Sequence, residues 1–302
     1  LVIVDRLREA DKWRNVANRE ITHLVVPDDV LTFLNAHEKD VDTVIHMGAI
    51  SATTERDVDL IINNNFQLSV DLWNWCTAHE VRFIYASSAA TYGNGYYGFD
   101  DEFSKESLEV LKPLNPYAWS KHLFDRRVCR TIVNGEPTPP QWLGLKFFNV
   151  YGPNEYHKGR MQSVVSQIFF RAAANEAAVL FKSHNPRYED GWQLRDFICV
   201  DDCVDIVNWF LDTPSVCGLF NCGTGKARSY ADVAAAVFRA LDREPNIEFV
   251  DTPEDIRDKY QYFTEASINR LLAAGYKKPM IELEDGVQSY VRDFLNTNDP
   301  YR

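Results

Sequence analysis

The sequence predicts an α/β fold, a doubly wound parallel sheet with a second, smaller region. Short β-branched runs alternate with helical stretches, which is typical of a parallel sheet covered by helices. One of these stretches carries a mostly apolar stripe from Phe66 to Thr77 at helical spacing, so it should pack on the sheet. Gly and Pro punctuation after about residue 150 indicates a second region. The predicted strands are Leu1–Val4, Thr43–His46, Phe83–Ala86, Leu143–Phe148 and Phe197–Val200.

The boundary between the two regions is predicted to be discontinuous. The run Phe197–Gly223 has the character of sheet material from the first region. We therefore predict a first domain made of 1–150 plus about 195–225, and a smaller α/β domain made of about 151–194 plus 226–302. The helices predicted in the smaller domain are Gln162–Asn175, Ser229–Arg243 and Ile281–Asn296.

Composition narrows the class of protein. A chain of 302 residues with 45% hydrophobic and 25% charged residues is typical of a globular protein of one or two domains. The formal charge of −12 argues against a nucleic-acid partner. No run of about 18 apolar residues occurs and no leader pattern is visible, so we expect a cytoplasmic protein that does not bind membranes. The six cysteines form no C-x-x-C pair, so neither a metal site nor a disulfide framework is predicted.

The first predicted strand ends in an acidic residue, Asp5. In a doubly wound dinucleotide fold, an acid at the end of the second strand accepts the adenosine ribose hydroxyls. No Gly-rich turn precedes Asp5, so we expect the first strand and its turn to be missing from this chain. Arg6, Arg8 and Lys12 follow closely, and cations at this place can bind a 2′-phosphate. We therefore expect NADP, although Asp5 alone would suit NAD.

Tyr117 and Lys121 are four residues apart and so share one face of a predicted helix. A phenol titrates at about 10, and an adjacent ammonium favours the phenolate, which prepares Tyr117 for acid/base work. With 14 tyrosines in the chain, this spacing arises by chance about once. The pair therefore needs support from a second motif.

The second motif is Tyr85–Gly93, where a strand runs into a turn of small polar residues. Ligands of open parallel sheets bind at the carboxyl ends of strands. We predict that Ser88 in this turn hydrogen-bonds a substrate hydroxyl while Tyr117 moves its proton. The alternative is that Ser88 only caps the turn.

Three motifs together resemble the extended short-chain dehydrogenases/reductases that act on nucleotide sugars. They are Ser87-Ser-Ala-Ala-Thr-Tyr-Gly93, Asn115-Pro-Tyr-Ala-Trp-Ser-Lys121 and Phe148-Asn-Val-Tyr-Gly-Pro153. Within that superfamily, the segments His46–Glu55, Phe147–Gly159 and Leu194–Phe197 are similar to the ADP-glycero-manno-heptose 6-epimerases, and His157-Lys158-Gly159 is the most diagnostic element. The resemblance covers nearly the whole chain. Lys146 departs from the pattern, since an arginine is more usual there, but it keeps the charge.

The resemblance implies a Rossmann-type fold whose first domain binds the dinucleotide and whose smaller domain binds the nucleotide sugar. It also implies a homo-oligomer, commonly a pentamer. Together with the residues above, it assigns catalysis to Ser88, Tyr117, Lys121 and Lys158. The expected cofactor contacts are Asp5, Arg6, Lys12, Asn65, Tyr117 and Lys121. The expected substrate contacts are Ser88, Asn149, His157, Lys158, Arg195 and Tyr260.

The expected reaction is inversion at a carbon that bears a hydroxyl and no acidic hydrogen. Simple deprotonation cannot start it, whereas removal of hydride leaves a carbonyl that can present its other face before hydride returns. A second acid/base is needed because the oxygen then points elsewhere, and Lys158 is our candidate. The alternative is that Lys158 is a solvated surface charge. Arg195 is a candidate for the substrate diphosphate, against an ion pair with Asp196 or Asp202.

Two other functions remain open. A UDP-hexose 4-epimerase would share Ser88, Tyr117 and Lys121, and only the region of His157 to Gly159 separates it from a heptose 6-epimerase. A 4,6-dehydratase is disfavoured, because it would place an acid directly after the serine, where this chain has Ala89. The other alternative is a catalytically inactive dinucleotide-binding fragment or sensor, which should have lost Tyr117 or Lys121.

Overall fold

The computed structural model describes residues 1–8, 10–257 and 261–302, and its residues divide into two units. The first unit comprises Leu1–Arg8, Arg19–Phe147 and Trp209–Asn221, and the second comprises Glu9–Asn18, Phe148–Asn208 and Cys222–Arg302. The strands are β1 (Val2–Val4), β2 (His23–Val25), β3 (Thr43–His46), β4 (Arg82–Ser88), β5 (Trp142–Phe147), β6 (Asn149–Tyr151), β7 (Ala178–Phe181), β8 (Leu194–Cys199), β9 (Gly218–Cys222), β10 (Ala227–Ser229) and β11 (Ile247–Val250).

Helices connect these strands. The α-helices are α1 (Val30–Ala36), α2 (Val58–Ile61), α3 (Leu68–Ala78), α4 (Lys105–Glu109), α5 (Pro116–Val133), α6 (Val164–Ala173), α7 (Val200–Asp212), α8 (Tyr230–Ala240), α9 (Glu254–Arg257), α10 (Asn269–Ala273) and α11 (Leu283–Ser289). Two π-helical segments extend α-helices, Ile62–Gln67 and Tyr290–Leu295. Short 3-10 helices cover Ala10–Asn15, Pro27–Asp29, Ala89–Tyr92 and Tyr156–Met161.

The main sheet of the first unit has the strand order β3-β4-β5-β9. The pairs β3–β4 and β4–β5 are parallel, and β1 and β2 form a separate parallel pair. Parallel strands of this kind are covered by helices and are therefore apolar on both faces. Accordingly, Phe83, Ile84 and Tyr85 at the centre of β4 are all buried. The predicted parallel α/β architecture is confirmed.

The predicted apolar helix packs on this sheet. It runs through α2, the first π-helical segment and α3, and Trp73 lies at its centre. The Trp73 ring meets the Phe83 ring of β4 edge-on, with centroids 6.0 Å apart, and the Phe124 ring of α5 at 6.2 Å. Edge-to-face aromatic pairs add to the stability that burial gives. The stripe from Phe66 to Thr77 therefore forms the contact that its spacing predicted.

The second unit has its own core between helices and two small sheets. One sheet has the order β10-β8-β6, with β6 and β8 parallel and β8 and β10 antiparallel, and the other is the parallel pair β7–β11. The core is formed by apolar residues of α6, α8 and α11, among them Val165, Phe169, Val233, Val237 and Val287. The three helices predicted for the smaller domain are present with shorter bounds.

Strand β8 differs from our expectation. We expected Phe197–Gly223 to belong with the first region, but β8 pairs with β6 and β10, and only Trp209–Asn221 lies in the first unit. A short apolar strand carries no local signal for its partner, because pairing is decided by contacts far away in sequence. The division into a dinucleotide-binding and a substrate-binding domain at the predicted bounds stays a prediction.

The described residues contain neither a membrane-spanning helix nor a cluster of metal ligands. Within 1–8, 10–257 and 261–302, no helix has both the length and the apolar character needed to cross a membrane. In the same part of the chain, no group of three or more His, Cys, Asp or Glu side chains is arranged to hold a metal ion.

Candidate active site

Ser88 lies at the carboxyl end of β4 and begins the 3-10 turn Ala89–Tyr92. Its Oγ accepts a hydrogen bond from the Ala90 N–H at 3.1 Å, so it caps the turn. The Ser88 hydroxyl also lies close enough to Tyr117 to lower the pKa of its phenol. Ser88 therefore caps the turn, and its predicted contact with a substrate hydroxyl stays a prediction.

Helix α5 supplies the other half of this pair. Asn115 caps it by accepting a hydrogen bond from the Ala118 N–H at 2.9 Å, and Pro116 occupies the first helical position, where its missing N–H costs nothing. Tyr117 thus lies in the first turn and Lys121 one turn later, on the same face. Ser88 therefore lies near Tyr117, and Lys121 lies on the same helix face as Tyr117; their catalytic roles stay predictions.

The protonation of Tyr117 differs from our expectation. Burial raises the pKa of Tyr117 above its ordinary value of 10.0, and the hydrogen bond with Ser88 lowers the pKa by a smaller amount. Burial disfavours the phenolate because the charged form loses its hydration. In this state of the protein Tyr117 is therefore a protonated phenol, a proton donor first.

Lys121 is buried with only 4% of its surface exposed. Burial lowers the pKa of its ammonium from 10.5 to about 8, and the nearby Asp125 carboxylate opposes that shift. His46 at the end of β3 is buried as well, and burial, followed by the charge of Lys121, lowers the pKa of His46 to about 3. His46 is consequently neutral, so Asp125 and not His46 sets the local charge beside Lys121.

Asn65 is fully buried in the first π-helical segment, and its amide is occupied by protein partners. Its Oδ1 accepts a hydrogen bond from the Ile50 N–H at 2.8 Å, while its Nδ2 donates to Ile50 O at 3.0 Å and to Ser120 Oγ at 3.1 Å. Ser120 Oγ in turn donates to Tyr117 O at 2.7 Å. Asn65 therefore braces the first turn of α5, and its contact with the cofactor stays a prediction.

The predicted adenosine contacts lie at the end of β1. Asp5 Oδ1 accepts a hydrogen bond from the Arg6 N–H at 2.7 Å. The Arg6 guanidinium forms an ion pair with Asp28 at 2.7 Å and donates to Asn64 Oδ1 at 3.4 Å. Lys12 belongs to the second unit, in the 3-10 helix Ala10–Asn15.

The second unit holds the remaining described candidates. His157 and Lys158 are exposed in the 3-10 helix Tyr156–Met161, and His157 Nδ1 lies 3.0 Å from Asn15 Nδ2. The buried Glu155 carboxylate anchors this segment by accepting hydrogen bonds from Ser163 N and Ser163 Oγ, both at 2.6 Å, and from Tyr290 at 2.9 Å. Lys158 is thus an exposed cation on an anchored turn.

Arg195 on β8 is buried, and backbone carbonyls orient its guanidinium. It donates to Leu194 O at 2.8 Å and to Gln261 O, and it lies 5.7 Å from the centre of the Tyr230 ring. The neighbouring Asp196 carboxylate is used elsewhere, accepting from Thr224, Gly225 and Ala266. Asn149 is exposed on β6. Tyr260 lies outside the described residues.

Asp125 is the main site residue that sequence reasoning missed. It is one helical turn beyond Lys121 and two beyond Tyr117, so the spacing alone places all three on one face of α5. It is fully buried and paired with Lys146 at 2.8 Å. The spacing of this carboxylate from Lys121 and Tyr117 is the sequence signal that could have identified it.

The fold and these residues define an epimerase/dehydratase class of enzyme. Residues 1–223 match the model of the "NAD dependent epimerase/dehydratase family". This chain belongs to that family, which is defined by its use of a nicotinamide dinucleotide, and the resemblance inferred from the motifs is confirmed.

Individual relatives narrow the class further. The chain is 45% identical to ADP-L-glycero-D-manno-heptose-6-epimerase of Fusobacterium nucleatum and 48% identical to the protein of the same name from Nitratidesulfovibrio vulgaris, covering 100% of this chain and 92% of each relative. The solved Helicobacter pylori ADP-L-glycero-D-manno-heptose-6-epimerase superposes with a TM-score of 0.75 at 25% identity, over 97% of this chain and 86% of that one. The Thermus thermophilus UDP-glucose 4-epimerase, solved with NAD, has a TM-score of 0.71 at 22% identity over 96% and 89%, which shows the shared fold alone.

The buried ammonium of Lys121 should cost stability. Because its pKa is about 8 in the folded protein and 10.5 ordinarily, the cost is fully present below pH 8 and disappears as pH rises through 10.5. We expect Lys121→Met to raise the free energy of unfolding at pH 7 by about 3 kcal/mol, with the gain shrinking toward pH 10. Denaturant unfolding at several pH values measures this.

A variant of a surface lysine separates the effect of burial on the free energy of unfolding from the effect of losing a charge. Lys105 is exposed and pairs with Glu109, so Lys105→Met should change the free energy of unfolding by less than about 0.5 kcal/mol at every pH. A Lys121→Met protein that is less stable than wild type at pH 7 would show that the ammonium is stabilised in its buried position.

Proposed function

We propose that this chain is an ADP-glyceromanno-heptose 6-epimerase, which interconverts ADP-D-glycero- and ADP-L-glycero-D-manno-heptose for the heptose of the lipopolysaccharide core. One observation carries the proposal: Ser88 lies close enough to Tyr117 to lower the pKa of its phenol, and Lys121 follows one turn along the same helix face. This arrangement occurs in a chain 45–48% identical, over its full length, to proteins of that name. The reaction inverts the configuration at C6 of the heptose without net oxidation.

The residues of the first unit suit a nicotinamide dinucleotide. Asp5 follows β1, and Ser88 ends β4, so both side chains lie at carboxyl ends of strands in parallel pairs, where such ligands bind. The Asp5 carboxylate can accept hydrogen bonds from the adenosine ribose hydroxyls, and the Lys121 ammonium can donate hydrogen bonds to another part of the dinucleotide. When bound, the nicotinamide supplies the acceptor and donor of hydride for the transient oxidation at C6.

Tyr117 transfers the proton of the reacting hydroxyl. Ser88 orients that hydroxyl, and the charge of Lys121 favours the phenolate when Tyr117 gives up its proton. Burial keeps Tyr117 protonated, which suits the step in which hydride returns and the oxygen gains a proton; in that direction Lys158 accepts the hydroxyl proton when hydride leaves. Proton transfer by a positioned side chain of this kind contributes about 10²- to 10⁴-fold to the rate.

Lys158 is our second acid/base. The carbonyl oxygen points to a different side of the site after the sugar has turned, so one group cannot serve both orientations. The exposed Lys158 lies on a segment anchored by Glu155 and Ser163, and an anchored segment can present a side chain reproducibly. If Lys158 is instead a solvated surface lysine, its substitution should not lower the activity.

The nucleotide sugar is proposed to contact Asn149, His157, Arg195 and Tyr260. Arg195 supports this assignment best, because two carbonyl groups fix its guanidinium and a fixed planar fork suits a diphosphate. We also infer a homo-oligomer, a pentamer by resemblance to the family, acting in the cytoplasm. Exposed tryptophans such as Trp13, Trp119 and Trp192 are consistent with a subunit contact.

We propose NADP as the bound dinucleotide, with NAD as the alternative. Arg6 and Lys12 would meet the 2′-phosphate, and Arg6 is already oriented by Asp28. Arg6→Ala should weaken NADP binding by about tenfold, the loss of one charge-assisted contact, and leave NAD binding unchanged. Titration calorimetry of both dinucleotides measures this, and mass spectrometry identifies the molecule that copurifies. Equal losses for the two, or copurified NAD, would contradict NADP.

The function itself is tested by substitution in the two acid/base positions. We expect Tyr117→Phe and Lys158→Ala each to lower kcat by about 10²- to 10⁴-fold. NMR of epimer formation from ADP-D-glycero-D-manno-heptose measures the rate. Arg160→Ala is the matched control, because Arg160 is another exposed cation of the same 3-10 helix, and it should keep wild-type activity.

Two outcomes would overturn these assignments. Turnover of a UDP-hexose instead of the heptose would replace the substrate and leave the epimerase class. Full activity of Lys158→Ala would remove Lys158 from the mechanism and return it to the solvated surface.

A further inference from the structure

A buried ion pair lies between α5 and β5 in the first unit. Lys146 Nζ is 2.8 Å from Asp125 Oδ2, and the two side chains are 1% and 0% exposed. The desolvation of two charges offsets most of their attraction, so such pairs contribute little net stability compared with apolar residues of similar volume. The pair therefore has to be explained by what it holds in place.

The carboxylate of the pair ties α5 to β4. Asp125 Oδ1 accepts a hydrogen bond from the Tyr85 hydroxyl at 3.1 Å, and Oδ2 accepts one from Ser87 Oγ at 2.7 Å. Ser87 directly precedes Ser88, and Asp125 lies two turns after Tyr117 on the same helix. Asp125 thus fixes the helix that carries Tyr117 to the strand that ends in Ser88.

The ammonium of the pair ties down the turn after β4. Lys146 Nζ donates to Thr91 Oγ1 at 2.6 Å, and Thr91 Oγ1 donates to Ser88 O at 2.7 Å. Lys146 Nζ also lies 4.9 Å from the centre of the Tyr92 ring, within the range of a cation–π contact. The 3-10 turn that Ser88 begins is therefore anchored to the same charge that neutralises Asp125.

We propose that Asp125, Lys146 and Thr91 are positioning residues that set the separation of Ser88 and Tyr117. Ser88 and Tyr117 lie on different elements, and the chain of contacts from Asp125 through Lys146 and Thr91 reaches both. The three residues are buried; Thr91 acts through Lys146 and Ser88, whereas Asp125 also opposes the lowering of the Lys121 pKa. The inference rests on the proposed function for its kinetic test, and on the separation of the Ser88 and Tyr117 hydroxyl groups for a structural test that needs no substrate.

The first experiment uses a matched pair at Thr91. Thr91→Val removes the hydroxyl that links Lys146 to Ser88 O, whereas Thr91→Ser keeps it. A displacement of about 1 Å at a reacting group can cost about 100-fold, so kcat should fall by about that factor in Thr91→Val and stay within about threefold of wild type in Thr91→Ser. KM should be unchanged in both, because Thr91 is fully buried.

The second experiment removes both charges at once. The double variant Lys146→Met/Asp125→Asn leaves Lys121 without the carboxylate that opposes the lowering of its pKa, but it leaves neither member of the ion pair unpaired and keeps a hydrogen-bonding group for Ser87, so it should fold. Its kcat should fall by about 100-fold with KM unchanged. Arg82→Met is the control, since Arg82 forms an ion pair with Asp42 at the opposite end of β4, and its kcat should remain that of wild type.

Crystal structures of wild type, Thr91→Val and the double variant complete the test. We expect the distance between Ser88 Oγ and the Tyr117 hydroxyl oxygen to be longer in both variants than in wild type. A folded double variant with wild-type kcat and an unchanged Ser88–Tyr117 distance would overturn the inference. If wild type turned over no nucleotide sugar, the proposed function would fail, while the crystallographic comparison would still decide the positioning role.

Discussion

The carboxylate of Asp125 is the constraint on which the arrangement of the first unit depends. It joins α5 to β4 through Tyr85 and Ser87, and to β5 through Lys146. A buried carboxylate is tolerated only when it is paired and hydrogen-bonded, and here a cation and two hydroxyls do this. Tyr117 and Ser88 consequently meet as parts of one hydrogen-bonded assembly, although they come from separate elements.

The same helix face carries a second buried charge that does not favour folding. Lys121 is held where burial pushes its pKa down to about 8, and Asp125 one turn away limits that shift. Active sites commonly retain groups that destabilise the folded protein because the reaction needs them. Asp125 thus has two effects, since it positions the helix and keeps Lys121 largely charged at neutral pH, where a cation beside Tyr117 favours the phenolate.

Local patterns predicted much of the fold and part of the site. The strands β3, β4 and β5 follow from β-branched runs, and the Tyr117–Lys121 spacing is a short-range helical signal. The pairing of β8 and the Asp125–Lys146–Thr91 network could not be predicted this way, because they join residues distant in sequence. The direction of the Tyr117 pKa shift depends on burial, which cannot be predicted from the spacing of residues in the sequence. The hydrogen bonds of the Asn65 amide depend on the fold around Ile50 and Ser120.

In the proposed reaction, inversion at C6 proceeds through removal and return of hydride, and Tyr117 transfers only the proton of the hydroxyl. The most direct measurement uses ADP-D-glycero-D-manno-heptose labelled with deuterium at C6 in ordinary water, followed by NMR of the epimer. We expect the product to keep its deuterium at C6, because hydride that returns to the same carbon does not exchange with solvent. Loss of deuterium to water would contradict the claim and indicate that a side chain removes the C6 hydrogen as a proton.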